Sequence, residues 1–222
     1  MVNAPARSRT RRDARGFSTV EALVALMVTA TAIGTALMVT EQVSRGYHGT
    51  LDGTLIQEEA RYALDRIESA LRTAGANPYG VTDTNCSGAT TPFTAVRLDP
   101  NGNGQMDDVR LQADVNPPNG LVGGVSGVCD EAGEDVTIAF DPAARVITVR
   151  DNTLGTSPAP MTDAVITGLD LAYLDATQTP TADAAAAAFV RVSVTAETPN
   201  ANRAQGAAER VVVTSVVRIR SR

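Results

Sequence analysis

The chain has 222 residues, 43% hydrophobic but only 4% aromatic, with no Trp and no Lys. Its formal charge is −6, and residues 1–16 hold five of its 19 cations and one of its 25 acids, so the remainder carries 14 Arg against 24 acidic residues, a net −10. An acidic body argues against a nucleic-acid partner, and with a single histidine, His48, no Ser/His/Asp or Cys/His set is credible, so an enzyme is the least supported class.

Five arginines open the chain: Arg7, Arg9, Arg11, Arg12 and Arg15. Gly16-Phe17-Ser18-Thr19-Val20-Glu21 follows, and then 19 residues, 22–40, without a charge. At about 1.5 Å per residue that run spans about 28 Å, close to the hydrocarbon thickness of a bilayer. The arginines before it predict an N-terminus held in the cytoplasm and a body on the far side. A charge inside a membrane segment costs about 2.5–3.5 kcal/mol, so Glu21 at the mouth of the run is a functional residue by default. A secretory signal peptide cut after Ala30-Thr31-Ala32 is a competing reading. It leaves Ile33, Leu37, Met38 and Val39 unexplained and puts Glu21 inside the apolar region. An ordinary single-span anchor is the other.

The basic leader, the Gly16-Phe17 junction and Glu21 together resemble the processing site of type IV prepilins and pseudopilins. The resemblance implies cleavage after Gly16 by a prepilin peptidase and methylation of the new Phe17 amine. It also implies that Glu21 pairs with the N-terminal amine of a neighbouring subunit and sets axial register in a filament. Phe17 and Glu21 are one helical turn apart and share a face. Opposite charges in a dry medium attract strongly, and each alone is penalised.

Beyond the membrane run, Leu51, Leu55, Tyr62, Ala63, Leu64, Ile67, Leu71 and Ala74 recur at helical spacing. Glu58, Glu59, Arg61, Asp65, Arg66, Glu68 and Arg72 fill the other face, Gly75 is placed as a C-terminal cap, and Pro78 lies just beyond. Gly46, Gly49 and Gly53 each cost about 1 kcal/mol in a helix interior, which predicts a bend or melted stretch at 44–53. Many pilins carry a proline in the membrane half of this helix; none occurs here between Phe17 and Gly75. The organisation expected is a leader (1–16), a transmembrane half-helix (17–43), an amphipathic periplasmic half-helix (44–75) and a β-rich domain (76–222). With leader and anchor set aside, about 150 residues remain, enough for one domain with one core.

Cys86 and Cys129 are the two cysteines. On the far side of the membrane they are expected to pair, closing a loop whose chain entropy is worth about 4 kcal/mol; two buried free thiols are the alternative. Strands are expected at 93–98, 109–112, 134–140, 145–150, 164–174, 190–194 and 211–219. Asp141-Pro142-Ala143-Ala144 reads as a hairpin turn. Residues 198–208 form a polar loop, and 177–188 is a Thr/Pro/Ala surface segment with helical tendency in its alanines. Glycine-rich 120–127 lacks the Gly-Lys-Ser/Thr of a phosphate loop and reads as a flexible connection. Asp130, Glu131, Glu134 and Asp135 read as a solvated acidic loop with a weak link to the site described next.

Asp99-x-Asn101-x-Asn103-Gly104 places oxygens at alternate positions with glycine sixth, the start of a calcium-binding loop. Gln105 occupies the seventh position, whose backbone carbonyl such a loop uses. Arg110 stands at the twelfth in place of Glu, so Asp107, Asp108 or Asp114 is needed instead. The same residues favour a solvated Asn-Gly turn between two strands.

The resemblance narrows with Ala60-Arg61-Tyr62-Ala63-Leu64-Asp65 and Leu71-Arg72-Thr73-Ala74-Gly75, which look like the segment after the anchor in PilW-type minor pilins. The segments at 99–104, 134–140 and 168–175 look like later features of that family and also fit J-type pseudopilins of type II secretion. The fold class expected is α+β: a long, partly transmembrane N-terminal helix packed on an antiparallel sheet, as in pilins. The function implied is a minor pilin that primes or caps a type IV pilus with other minor and major pilins. It would be stored in the inner membrane with its C-terminal domain in the periplasm. A J-type pseudopilin and a membrane-anchored adhesin or binding module are the alternatives; the last would stay uncut at Gly16.

Overall fold

The computed structural model describes residues 18–84, 86, 91–125, 128–198 and 209–220, without the side chains of 45, 48–50 and 52. The chain divides into two compact units, one up to Thr50 and one from Leu51. Helix α1 (Thr19–Thr73) begins in the first and supplies its last turns to the second.

In the first unit the segment Thr19–Ser44 is long and apolar enough to cross a membrane, and none of it is buried. Val20, Leu23, Leu26, Met27, Ile33, Leu37 and Met38 are all exposed. The Oγ1 atoms of Thr29, Thr31, Thr35 and Thr40 donate to carbonyls three or four residues back, at 2.7–3.1 Å. Those bonds satisfy each hydroxyl inside its own helix, which an apolar surrounding demands. The melted stretch expected at 44–53 is absent: helical structure continues through it. Three glycines at about 1 kcal/mol each do not outweigh helix propagating from long segments on both sides.

The second unit is α+β. Its part of α1 buries Ile56, Ala60, Ala63, Leu64, Ile67, Leu71 and Ala74, a 3–4 spacing that keeps one stripe on the core. Leu51, Leu55 and Tyr62, expected on that face, are exposed. They lie on the stripe next to it, one residue out of phase with Ile56 and Ala63. Gly75 ends the helix at φ +77°, a conformation costly to a residue with a Cβ.

Five antiparallel strands follow as a meander: β3 (Val96–Leu98), β4 (Asp108–Gln112), β5 (Asp135–Asp141), β6 (Val146–Asp151) and β7 (Ala159–Pro160), after a two-stranded ribbon of β1 (Asp83–Thr84) and β2 (Thr91–Pro92). A second meander is built from β8 (Ile166–Leu174), β9 (Phe189–Glu197) and β10 (Arg210–Arg218) in the order β10-β9-β8. The 142–145 turn is a four-residue hairpin loop closed by Asp141 opposite Val146, and Asp141 Oδ1 accepts from the Ala143 and Ala144 amides. Residues 93–95 stay outside β3 because the Gln112 side chain, not a strand, takes the Thr94 amide. The alanine-rich stretch forms turns, not helix: Asp175 Oδ1 takes the Thr177 and Thr179 amides and bends the chain before the alanines begin. Of the 198–208 loop, 199–208 lie outside the described residues.

One core joins the elements of this unit. The buried helix stripe packs with Val96, Leu98, Val109, Leu111, Ile138 and Ile147 of the first meander and Ile166, Leu171, Val190, Val192, Val194 and Val217 of the second. In β9 the valines alternate inward, because successive side chains of a strand point to opposite faces.

Candidate functional site

Two places in the molecule hold the residues singled out by sequence. At the head of α1, Glu21 sits in the first turn, exposed, and the Ala22 amide donates to the Ser18 carbonyl at 3.0 Å. An acidic side chain there also faces the positive end of the helix dipole. Gly16, Phe17 and the arginine leader lie outside the described residues, as does the side chain of His48.

The other place is the 99–108 loop between β3 and β4. Asp99 begins it at φ +49° and accepts the Asn103 amide on Oδ1 and the Gly104 amide on Oδ2, both at 2.9 Å. Asn101 Oδ1 accepts the same Asn103 amide at 2.8 Å, and Asn103 Oδ1 accepts the Gln105 amide at 2.7 Å. The Asp99 and Asn101 oxygens therefore converge on one nitrogen. The loop is anchored at its far end: the Met106 carbonyl accepts the Leu171 amide of β8, and the Asp107 carbonyl the Phe140 amide of β5.

Asp108 closes this loop and opens β4. It is 3% exposed, and its Oδ1 has no hydrogen-bond partner among the described residues. Burial, then the charges of Asp107 and Asp99, push its carboxyl above the ordinary range, against the amides of Asn101 and Asp108 itself. Its polar neighbours are thus the loop's own. Arg110, in the twelfth position, turns to Asp135 and gives it two bonds, Nε to Oδ1 at 2.8 Å and Nη2 to Oδ2 at 2.5 Å.

Asp114, expected as a substitute ligand, is not available to this loop. It is buried, and its two oxygens accept the Asn119 and Gly120 amides at 2.8 Å. The solvated acidic loop expected at 130–135 is corrected too. Glu134 is fully buried: Oε1 accepts the Val115 and Asn116 amides at 2.7 Å, and Oε2 the Gly123 amide at 2.8 Å. The glycine-rich segment is consequently tied down, with Gly123 at φ +84° so that its amide reaches Glu134. Asp135 is buried as well. Burial alone would raise its carboxyl, but bonds from Arg110, Gln112 and Asn152, and the Arg110 charge, hold it below the usual range. Only Asp130 is exposed, as expected; Glu131 is partly buried, and its Oε2 is enclosed without a partner among the described residues.

Cys86 and Cys129 form a disulfide, with Cα atoms 5.3 Å apart. Among the described residues no group of three His, Cys, Asp or Glu side chains gathers to hold a metal. No family model, curated protein or solved structure matches the chain.

Proposed function

We propose that this chain is a minor pilin, a non-enzymatic subunit that primes or caps a type IV pilus. The observation that carries the reading is the helix segment Thr19–Ser44: a predominantly apolar stretch of 26 residues, none of it buried among the described residues, with the carboxylate of Glu21 in its first turn. Exposed apolar surface on that scale needs an apolar partner. A bilayer supplies it before assembly and the same helices of other subunits supply it after. Residues 1–16 are the leader that keeps the N-terminus cytoplasmic, prepilin peptidase cuts after Gly16, and Phe17 becomes the methylated terminus. Glu21 then pairs with the amine of a neighbouring subunit. The disulfide suits a domain facing the oxidising periplasm. Leu51, Leu55 and Tyr62, exposed at 42%, 61% and 49%, give the domain's own part of α1 an apolar stripe for packing against other pilins.

The test is a gene deletion scored two ways in one culture, by counting surface pili and by assaying exported proteins. Sparse pili with normal export supports the minor-pilin reading. Normal pili with exoproteins trapped in the periplasm moves the chain to the J-type pseudopilins. Mass spectrometry of the membrane-extracted protein supplies the third arm: a chain still carrying residues 1–16 is a membrane-anchored module and no filament subunit.

A further inference from the structure

We propose that the 99–108 loop is a calcium site, with Asp99, Asn101, Asn103 and the buried Asp108 carboxyl as its side-chain ligands. The inference stands on the domain alone and holds whether or not the chain enters a filament.

Two independent observations meet here. One is the order of oxygens along the loop. Calcium takes six to eight oxygens, from carboxylates, amide side chains and backbone carbonyls alike. A cluster of three acidic or histidine side chains is therefore not required. Asp99 and Asn101 already converge on the Asn103 amide, and each of their oxygens uses one acceptor position there, leaving another for a cation. The Gln105 carbonyl, at the position where such loops use a backbone oxygen, adds a further ligand.

The second observation is Asp108. A buried carboxyl oxygen without a partner is costly, and such groups in folded proteins are normally satisfied by protein, water or an ion. Asp114, Glu134 and Asp135, the other buried carboxyls of this unit, have both oxygens bonded to protein. Among the described residues, Asp108 Oδ1 has neither amide nor guanidinium. The nearest guanidinium in sequence, that of Arg110, is committed to Asp135. A solvated Asn-Gly turn accounts for the hydrogen bonds of 99–105 but leaves this oxygen, close to the charges of Asp107 and Asp99, unexplained. A divalent cation there would satisfy the oxygen and offset the charges.

The loop's anchors give binding a consequence. Met106 bonds to β8 in one meander and Asp107 to β5 in the other. A filled loop would fix the two sheets to each other through consecutive residues.

The probe is calcium itself, with magnesium as control, added to the full-length chain in detergent after treatment with a chelator. Sites of extracellular modules bind calcium at about 10⁻⁴–10⁻³ M. Saturable heat in calorimetry is expected in that range. At 5 mM calcium the melting temperature is expected to rise by roughly 3–6 °C, and 5 mM magnesium is expected to leave it unchanged. Asp108→Asn is expected to weaken binding at least tenfold while melting, without calcium, at or above wild type, since a like charge has gone. A merely structural aspartate would melt lower instead. Asn101→Ala, at an exposed position, keeps the test alive if Asp108→Asn fails to fold. A wild-type protein unmoved by 10 mM calcium overturns the proposal, as do variants that bind like wild type.

Discussion

Glu134 and Asp108 are both sealed from solvent, one just before β5 and the other at the start of β4, and both border glycine-rich loops. Glu134 gathers three backbone amides from 115–123, so its loop is organised around it. Asp108 has a loop organised beside it, around Asp99, and keeps an oxygen idle. The difference teaches how to tell an acid that builds structure from one held for a ligand. Burial is common to both; completeness of the hydrogen bonding separates them.

The sharpest way to break the comparison is Glu134→Ala. It strands three backbone amides at once, that of Gly123 buried and those of Val115 and Asn116 partly so, and a loss of roughly 3–5 kcal/mol in urea unfolding is expected. A loss under about 1 kcal/mol would mean water replaces the carboxyl easily, and that Glu134 organises nothing.

Next in size is a pH effect at Asp135. Its folded carboxyl lies below the ordinary aspartate value, so the folded state favours the ionised form. The stability this gives is present above the unfolded pKa, about 3.9, and drains as pH falls through the folded value. The stability gap between wild type and Asp135→Asn should therefore be wide at pH 6 and narrow toward pH 3. A gap constant with pH would show that packing, not charge, makes Asp135 matter.

The smallest effects sharpen the contrast. Leu55→Ser should change stability by no more than about 0.5 kcal/mol, whereas Ile56→Ala, one residue on, should cost about 2–5 kcal/mol. Equal costs would mean the helix presents a different face. Glu21→Ala should leave domain melting unmoved and processing intact but deplete the protein from sheared filaments; normal incorporation would remove Glu21 from the registry role.

Much of the fold was legible from local pattern. Strands β4, β5, β6, β8, β9 and β10 alternate or run apolar over five or more residues, and the Asp141 turn announces its hairpin. The two-residue strands β1, β2 and β7 carry no period to read. The helix face was read correctly from Ala63 to Ala74, and only Leu51, Leu55 and Tyr62 were placed one residue out of phase. Leu55 and Ile56 are equally apolar, and the phase is decided by Ala60 and Ala63, whose small side chains let the backbone approach the sheets. The buried acids were illegible for another reason. Glu134 meets its amides 11–19 residues upstream, a closure that no local spacing encodes. The sequence did locate the 99–108 oxygens, because ligand and backbone turn share one short segment.

The disulfide carries a mechanical consequence. A subunit of the proposed filament would be pulled along its chain, and a covalent bridge between residues 43 apart in sequence removes that span from what force can stretch. At about 3.4 Å per residue, some 150 Å of contour length is withheld. Strands β2, β3 and β4 lie inside the withheld segment, so tension applied at both ends of the domain passes from Cys86 to Cys129 and bypasses them. The 99–108 loop lies within that shielded span, where a pulled subunit would keep its shape longest.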